Sequence, residues 1–301
     1  MLLRGLKNVK KKKRQFGEEK RRKIMEEKTK PQARTRDLGK GSIPKLLAQL
    51  AIPVVVAQIV NLLYNIVDRI YIGHIPGIGA AALTGVGLFA PILMLINAFA
   101  MLSGSGGAPR AAIFMGKKDN ETAEKIMANC FSLILIFAIG LTILFSIFAP
   151  KLLILFGASD ATLPYAVEYA RIYIFGSIFV LIVLGMNLFI TTQGFSKISM
   201  MTTLIGAVIN VILDPIFIFV FDMGVRGAAI ATVLSQAVGA IWVFRFLTGE
   251  KTILKLKLSN MKLNPKVFGP CLALGISSFV MISTESLLSI SFTSSLARYG
   301  G

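Results

Sequence analysis

Seven apolar stretches, each long enough to cross a bilayer, restrict this 301-residue chain to helices packed side by side in lipid. They fall near 46–73, 80–108, 126–148, 168–191, 198–221, 226–247 and 267–296. A helix needs about 20 residues to span the hydrocarbon, and there its backbone must satisfy its own hydrogen bonds. A soluble helical core is the alternative, but seven successive runs of this length argue against it. The chain is 54% hydrophobic and 16% charged, with mean hydropathy +0.71, outside the range of ordinary globular domains. The expected fold class is an all-α polytopic membrane protein. The N-terminus is highly charged and lacks an apolar h-region, so no signal peptide is expected.

Charge sets the expected orientation. Of 33 Lys and Arg, 17 lie in residues 1–45. Eleven more (Arg110, Lys117, Lys118, Lys125, Lys197, Arg245, Lys251, Lys255, Lys257, Lys262 and Lys266) fall on the same side of the alternating spans. Only Arg69, Lys151, Arg171, Arg226 and Arg298 fall on the other. The positive-inside rule places the crowded side, and the N-terminus, in the cytoplasm. The formal charge of +18 thus reports topology, and no nucleic-acid partner is expected. Within a basic cytoplasmic tail and helix start at 1–45, residues 7–36 mix Lys, Arg and Glu with few apolar residues. They read as a solvated tail held loosely to anionic membrane lipid, as a regulatory arm, or as the product of a misassigned start upstream of Met25.

Catalytic signatures are missing. The two cysteines, Cys130 and Cys271, have neither the spacing nor the compartment for a disulfide or metal site. His74 is the single histidine and reads as solvated surface. Gly85-Val86-Gly87 and Ser103-Gly104-Ser105-Gly106-Gly107 mimic nucleotide loops, but no strand precedes either. Inside a span they read as sites of close helix packing or bending. No nucleophile–base pair, phosphate loop or zinc spacing appears, so neither an enzyme nor ATP-driven transport is expected.

Polar residues inside the spans carry the functional reading. Asp68, Asp214 and Glu285 lie within apolar helices, where a carboxylate costs several kcal/mol unless it is partnered, protonated or facing water. Span one places Gln58, Asn61, Asn65 and Asp68 at spacings of three and four, on one stripe expected to line a cavity. Span five places Asn210 and Asp214 one turn apart, and Pro215 follows, releasing the Val211 carbonyl and marking a bend. Span six carries Thr232 and Gln236, again four apart. Counted from the outer ends of their spans, Asp68, Asp214 and Thr232 share one depth of roughly 8–10 Å. Two carboxylates close together in a poorly solvated pocket do not readily both stay ionised, so the pair can carry a proton. Asp68, Asn210, Asp214 and Thr232 also offer only oxygen ligands, which suit a hard cation such as Na⁺. Both ions fit. Glu285 lies nearer the midplane and reads as a second cation or substrate site, or as a group bonded to Ser277, Ser278 or Ser289 of its own helix.

Asn65-Ile66-Val67-Asp68-Arg69-Ile70-Tyr71-Ile72-Gly73-His74 resembles the end of the first helix in the multidrug and toxic compound extrusion (MATE) family. Pro53, in Ala51-Ile52-Pro53, resembles the proline at which that helix bends. Gln193-Gly194 with Lys197 resembles the loop between helices four and five, and Asn210-Val211-Ile212-Leu213-Asp214-Pro215 resembles the fifth-helix motif. The resemblance covers about residues 41–301. It implies that Asp68, Asn210, Asp214 and Thr232 form the N-lobe cation site, and that Glu285 matches an acidic seventh-helix position tied to Na⁺ coupling in some members. It also implies a two-lobe, 6+6 architecture. Residues 46–247 would be the six-helix N-lobe, 248–266 a cytoplasmic inter-lobe loop and 267–301 the first helix of a C-lobe. The family has twelve helices, so the chain is expected to be truncated after its seventh, with helices 8–12 as missing partners. Leu272-Ala273-Leu274-Gly275 echoes Leu50-Ala51-Ile52-Pro53, 222 residues earlier, as the start of a second repeat would.

The implied function is secondary active multidrug efflux in the plasma membrane. Organic cations or amphipathic compounds would leave in exchange for Na⁺ or H⁺, without a bound cofactor. Two alternatives stay open: a lipid-linked precursor flippase of the same superfamily, or a non-transporting fragment. The flippase would need a basic cavity, and these spans hold almost no Lys or Arg.

Overall fold

The structure is a computed structural model that describes residues 43–299, so the readings of the basic tail fall almost wholly outside the described residues. Eight α-helices follow one another: α1 (Ile43–Gly73), α2 (Gly79–Leu88), α3 (Ala90–Gly116), α4 (Asn120–Leu155), α5 (Leu163–Thr192), α6 (Ser196–Pro215), α7 (Gly224–Thr248) and α8 (Pro265–Tyr299). A π-helical turn, Ile216–Val220, extends α6, and a short 3₁₀ turn, Leu258–Asn260, lies in the linker before α8. Among the described residues seven helical segments are long and apolar enough to span a bilayer, matching the seven stretches read from the sequence.

The second of those stretches is two helices. Together α2 and α3 make one segment, Gly79–Gly116, interrupted at Phe89. Pro91 explains the break: it has no N–H for the Gly87 carbonyl, and its ring crowds that carbonyl. Phe89 is fully buried there, against Tyr169 and Tyr173 of α5 at centroid distances of 5.7 and 5.5 Å. Helix α5 is the centre of the bundle, with α2, α3, α4, α6 and α7 all packed on it.

The glycine run of α3 is a packing device. A Cβ on Gly104 would fall 2.8 Å from the Gly185 carbonyl oxygen of α5. One on Gly106 would overlap the Cys271 carbonyl of α8, and one on Gly107 the Cys130 thiol of α4. From the other side, Gly275 of α8 abuts the Leu102 carbonyl. Small residues thus let α3 meet three helices at backbone distance. Ser105 Oγ donates to Ser278 Oγ at 3.0 Å and Ser286 Oγ to the Pro91 carbonyl at 3.0 Å, pinning α8 along α3.

Both prolines expected to bend helices sit beside rearranged hydrogen bonding. Pro53 is buried within α1 and cannot serve the Gln49 carbonyl, which accepts from Ser196 Oγ at the start of α6 at 3.3 Å. Pro215 ends the regular ladder of α6, and the π turn begins at the next residue, with Phe221 N donating to Ile216 O at 2.9 Å. Gly227 of α7 lets that turn approach closely, since a Cβ there would lie 2.6 Å from the Phe217 carbonyl carbon.

The linker before α8 is tied to the bundle. Thr252, Leu254 and Leu256 are buried while Lys251, Lys255 and Lys257 are exposed, the period-two alternation of an extended segment lying on a surface. Gln193 Oε1, at the end of α5, accepts from Thr252 Oγ1 (2.8 Å), Ile253 N (2.9 Å) and Leu254 N (2.8 Å). Glu124 of α4 accepts from Lys255 N at 3.0 Å and pairs with the Lys257 ammonium. Asn129 donates to Asn260 O at 3.2 Å and accepts from Asn264 N at 2.8 Å.

Candidate cation site

Three helices bring the predicted acidic and polar residues together. The C-terminal part of α1 supplies Asp68, the end of α6 supplies Asn210 and Asp214, and α7 supplies Thr232; α6 packs against both other helices. Asn210 and Asp214 are completely buried, and Asp68 and Thr232 are 9% and 8% exposed. Asn210 Nδ2 donates to Asp214 Oδ1 at 3.2 Å and to Thr232 Oγ1 at 3.4 Å. The Thr232 hydroxyl spends its own proton on the Ala228 carbonyl at 3.0 Å, which turns an oxygen lone pair toward the amide. The Asp68 and Asp214 carboxyls stand within hydrogen-bonding range of each other.

Three oxygens of this cluster, Asp68 Oδ1, Asn210 Oδ1 and Asp214 Oδ2, are buried without a hydrogen-bond partner among the described residues. Buried polar atoms are almost always paired, and leaving one unpaired costs about 1–3 kcal/mol. Three such acceptors in one cluster suit a ligand that brings positive charge and no competing lone pairs. A proton on the carboxyl pair meets that demand, and so does a hard cation taking oxygen ligands. Among the described residues no group of three or more His, Cys, Asp or Glu forms a metal cluster. The site holds two carboxylates, an amide and a hydroxyl, a weaker donor set than that of a permanently held divalent ion.

Aromatic residues surround the cluster. Tyr64, one turn before Asp68, reaches the side chains of Asn65 and Gln236, and Tyr169 of α5 reaches Thr232. Tyr169 and Tyr173 stack at 5.8 Å under the site. Sequence reasoning overlooked all three tyrosines. The signal for Tyr64 was available, since it lies four residues from Asp68 and hence on the same stripe. For Tyr169 and Tyr173 only their mutual spacing of four stood out, within an otherwise apolar span.

The remaining predicted residues are placed differently. Gln236 is half-buried beside Tyr64, but Gln58 and Asn65 are exposed and Asn61 is half-buried. Asn65 Nδ2 donates back to the Asn61 carbonyl at 2.6 Å. The expected stripe is therefore not enclosed by the described helices. At about 100° per residue Gln58 lies about 80° and Asn65 about 60° from Asp68, while Asn61, seven residues back, lies only about 20° away and keeps partial burial. Glu285 on α8 is exposed and makes no hydrogen bond or ion pair with any described residue. Two of the three serines offered as its partners bond elsewhere, Ser277 to the Leu274 carbonyl and Ser278 with Ser105. His74 Nδ1 meets the Ile70 carbonyl at 2.8 Å, closing the end of α1.

Comparison with known proteins gives a consistent picture. The MatE family profile matches residues 53–216. The multidrug export protein MepA of Staphylococcus saprophyticus is 26% identical over 263 residues, covering 87% of this chain and 57% of that protein. MepA of Staphylococcus haemolyticus is 24% identical over 259 residues, covering 86% and 57%. The chain thus spans under two thirds of the length of these relatives. The solved MATE multidrug transporter DinF-BH is 35% identical, with a TM-score of 0.83 over 90% of this chain and 60% of that one. A transporter of the MOP superfamily from Pyrococcus furiosus is 28% identical, with a TM-score of 0.77 over 84% and 56%.

Proposed function

The chain belongs to the MatE family, and we propose on that footing that it works as a secondary active exporter, an antiporter and not an enzyme. In this reading organic cations or amphipathic compounds leave the cell in exchange for inward Na⁺ or H⁺. The observation that carries it is the cluster of Asp68, Asn210, Asp214 and Thr232 with three buried, unpartnered oxygens. The coupling ion is substrate here, bound from one side of the membrane and released to the other. Asp68 and Asp214 supply the charge that attracts it. Asn210 fixes Asp214 and Thr232 relative to one another, and α6 can shift at its π turn, where the regular ladder is already interrupted. The names of the MepA relatives and of DinF-BH support multidrug export. Alternating access then draws on a second lobe, the seventh span together with helices 8–12, as partner to the six-helix unit.

The lipid-linked flippase reading has less support. No Lys or Arg is among the buried charged residues described, whereas a pyrophosphate cargo would need several. A direct test of export is accumulation of a fluorescent lipophilic cation in cells expressing the protein, with Na⁺ and proton gradients imposed separately. Lower accumulation under one gradient, restored when it is collapsed, is the expected result; equal accumulation with and without both gradients would exclude coupled export. In the same assay Glu285→Gln should remove the Na⁺ response alone if Glu285 serves a second ion site. Unchanged export under both gradients would make it structural.

Localisation in the plasma membrane with a cytoplasmic N-terminus is part of the proposal, supported by the charge asymmetry. Cysteines introduced singly at Lys118 and Asp160, in a background lacking the native pair, should label oppositely with an impermeant thiol reagent in intact cells. Strong outside labelling at position 118 would reverse the orientation.

A further inference from the structure

We propose that Cys130 and Cys271 form an oxidisable thiol pair whose closure to a disulfide ties α8 to α4. The two residues lie 141 positions apart in sequence, yet both are fully buried where α4 and α8 meet the same two-glycine step of α3, close enough for each side chain to act on the other. The neighbouring glycines of α3 create the room. Gly107 leaves space for the Cys130 thiol, and Gly106 receives the Cys271 backbone, so both cysteines are seated against one two-residue notch. Both are fully buried and free, and Cys271 Sγ also meets the Val267 carbonyl at 3.3 Å. Arg110, one turn beyond the notch on α3, acts electrostatically on Cys271, and its Nε is buried without a partner.

The function proposed above uses none of these residues. The reaction needs a two-electron oxidant, and a small membrane-permeant diazene such as diamide serves. The Cys271 thiolate adds to the N=N bond, and the Cys130 thiolate then displaces the nitrogen from sulfur. One S–S bond forms, and the two thiol protons and two electrons end on the hydrazine. The product fixes α8 to α4 covalently, alongside the close contact of α8 with α3, so the redox state of the pair sets how freely α8 can move against the bundle.

These are the chain's only cysteines, which makes the test a count. The protein in native membranes is treated with diamide, denatured, and reacted with a maleimide-polyethylene glycol that adds one gel increment per free thiol. The untreated chain should show two increments. The oxidised chain should show none while running as a monomer, and dithiothreitol should restore both. Because the thiols are held together, oxidation should be at least about tenfold faster than in the detergent-denatured chain. Cys130→Ser and Cys271→Ser should each keep their single increment as monomers. Iodine, a smaller oxidant, addresses access to the buried pair. Retention of both increments under diamide and iodine would overturn the proposal, as would loss only through intermolecular dimers.

Discussion

Asp68→Asn and Asp214→Asn are each expected to abolish ion-coupled export while leaving expression and membrane insertion intact. Asparagine keeps the volume and one acceptor oxygen of aspartate but removes the charge. At Asp214 the bond from Asn210 Nδ2 can survive on that oxygen, so folding should be nearly untouched. What is lost is the attraction for a cation or proton at a buried cluster with three unpartnered oxygens. Interactions with charged groups contribute about 1.5–3 kcal/mol, a factor of roughly ten to a hundred in binding. Asn210→Ala and Thr232→Ala remove neutral ligands and should weaken coupling less, by about three- to tenfold. The measurement is drug efflux against an imposed ion gradient, with the amount of protein in the membrane checked for each variant. If Asp68→Asn exports at the normal rate with normal ion dependence, the cation site lies elsewhere.

The residues behind that prediction could be read from the sequence because a carboxylate inside an apolar helix has few explanations. Asn210 and Asp214 share a face by spacing alone, and Asp68 comes to the same level by counting from its span end. Pro53 and Pro215 likewise marked where their helices depart from regular hydrogen bonding, whereas the break at Pro91 was not read. Pairwise adjacency between distant helices was not legible. Nothing in the sequence set Cys130 beside Cys271, or Tyr169 beneath Thr232, because those contacts depend on which glycines admit which neighbours. The described helices do not enclose Gln58, Asn61 and Asn65, because a stripe with spacings of three and four is wide and its two ends face different directions. Glu124 and Asn129 carried no signal in the sequence. They are buried because the linker lies across them, and no local pattern in α4 foretells that.

Gln193→Leu should loosen the linker from the end of α5. Gln193 is 4% exposed, and its one side-chain oxygen accepts from Thr252 Oγ1, Ile253 N and Leu254 N. Leucine fills the volume but offers no acceptor. The Thr252 hydroxyl still has the Leu254 carbonyl at 2.9 Å, so the two backbone N–H groups bear the loss. Each buried, unpaired donor costs about 1–3 kcal/mol, and the Ile253 amide, being only part-buried, regains some of this from water. A net loss of about 3 kcal/mol corresponds to roughly a hundredfold faster local opening. Hydrogen exchange at residues 252–256 reads that opening directly, and should accelerate there while the amides of α5 stay protected. Gln193→Glu is the control: its carboxylate keeps the acceptors and gains strength from three donors, offset by the burial of a charge and the loss of the Nε2 bond to the Phe189 carbonyl. Exchange in the glutamate variant should therefore stay within about tenfold of the parent. Equal exchange in the leucine variant and the parent would mean that burial of Leu254 and Leu256, with the Glu124 and Asn129 bonds, suffices to hold the linker.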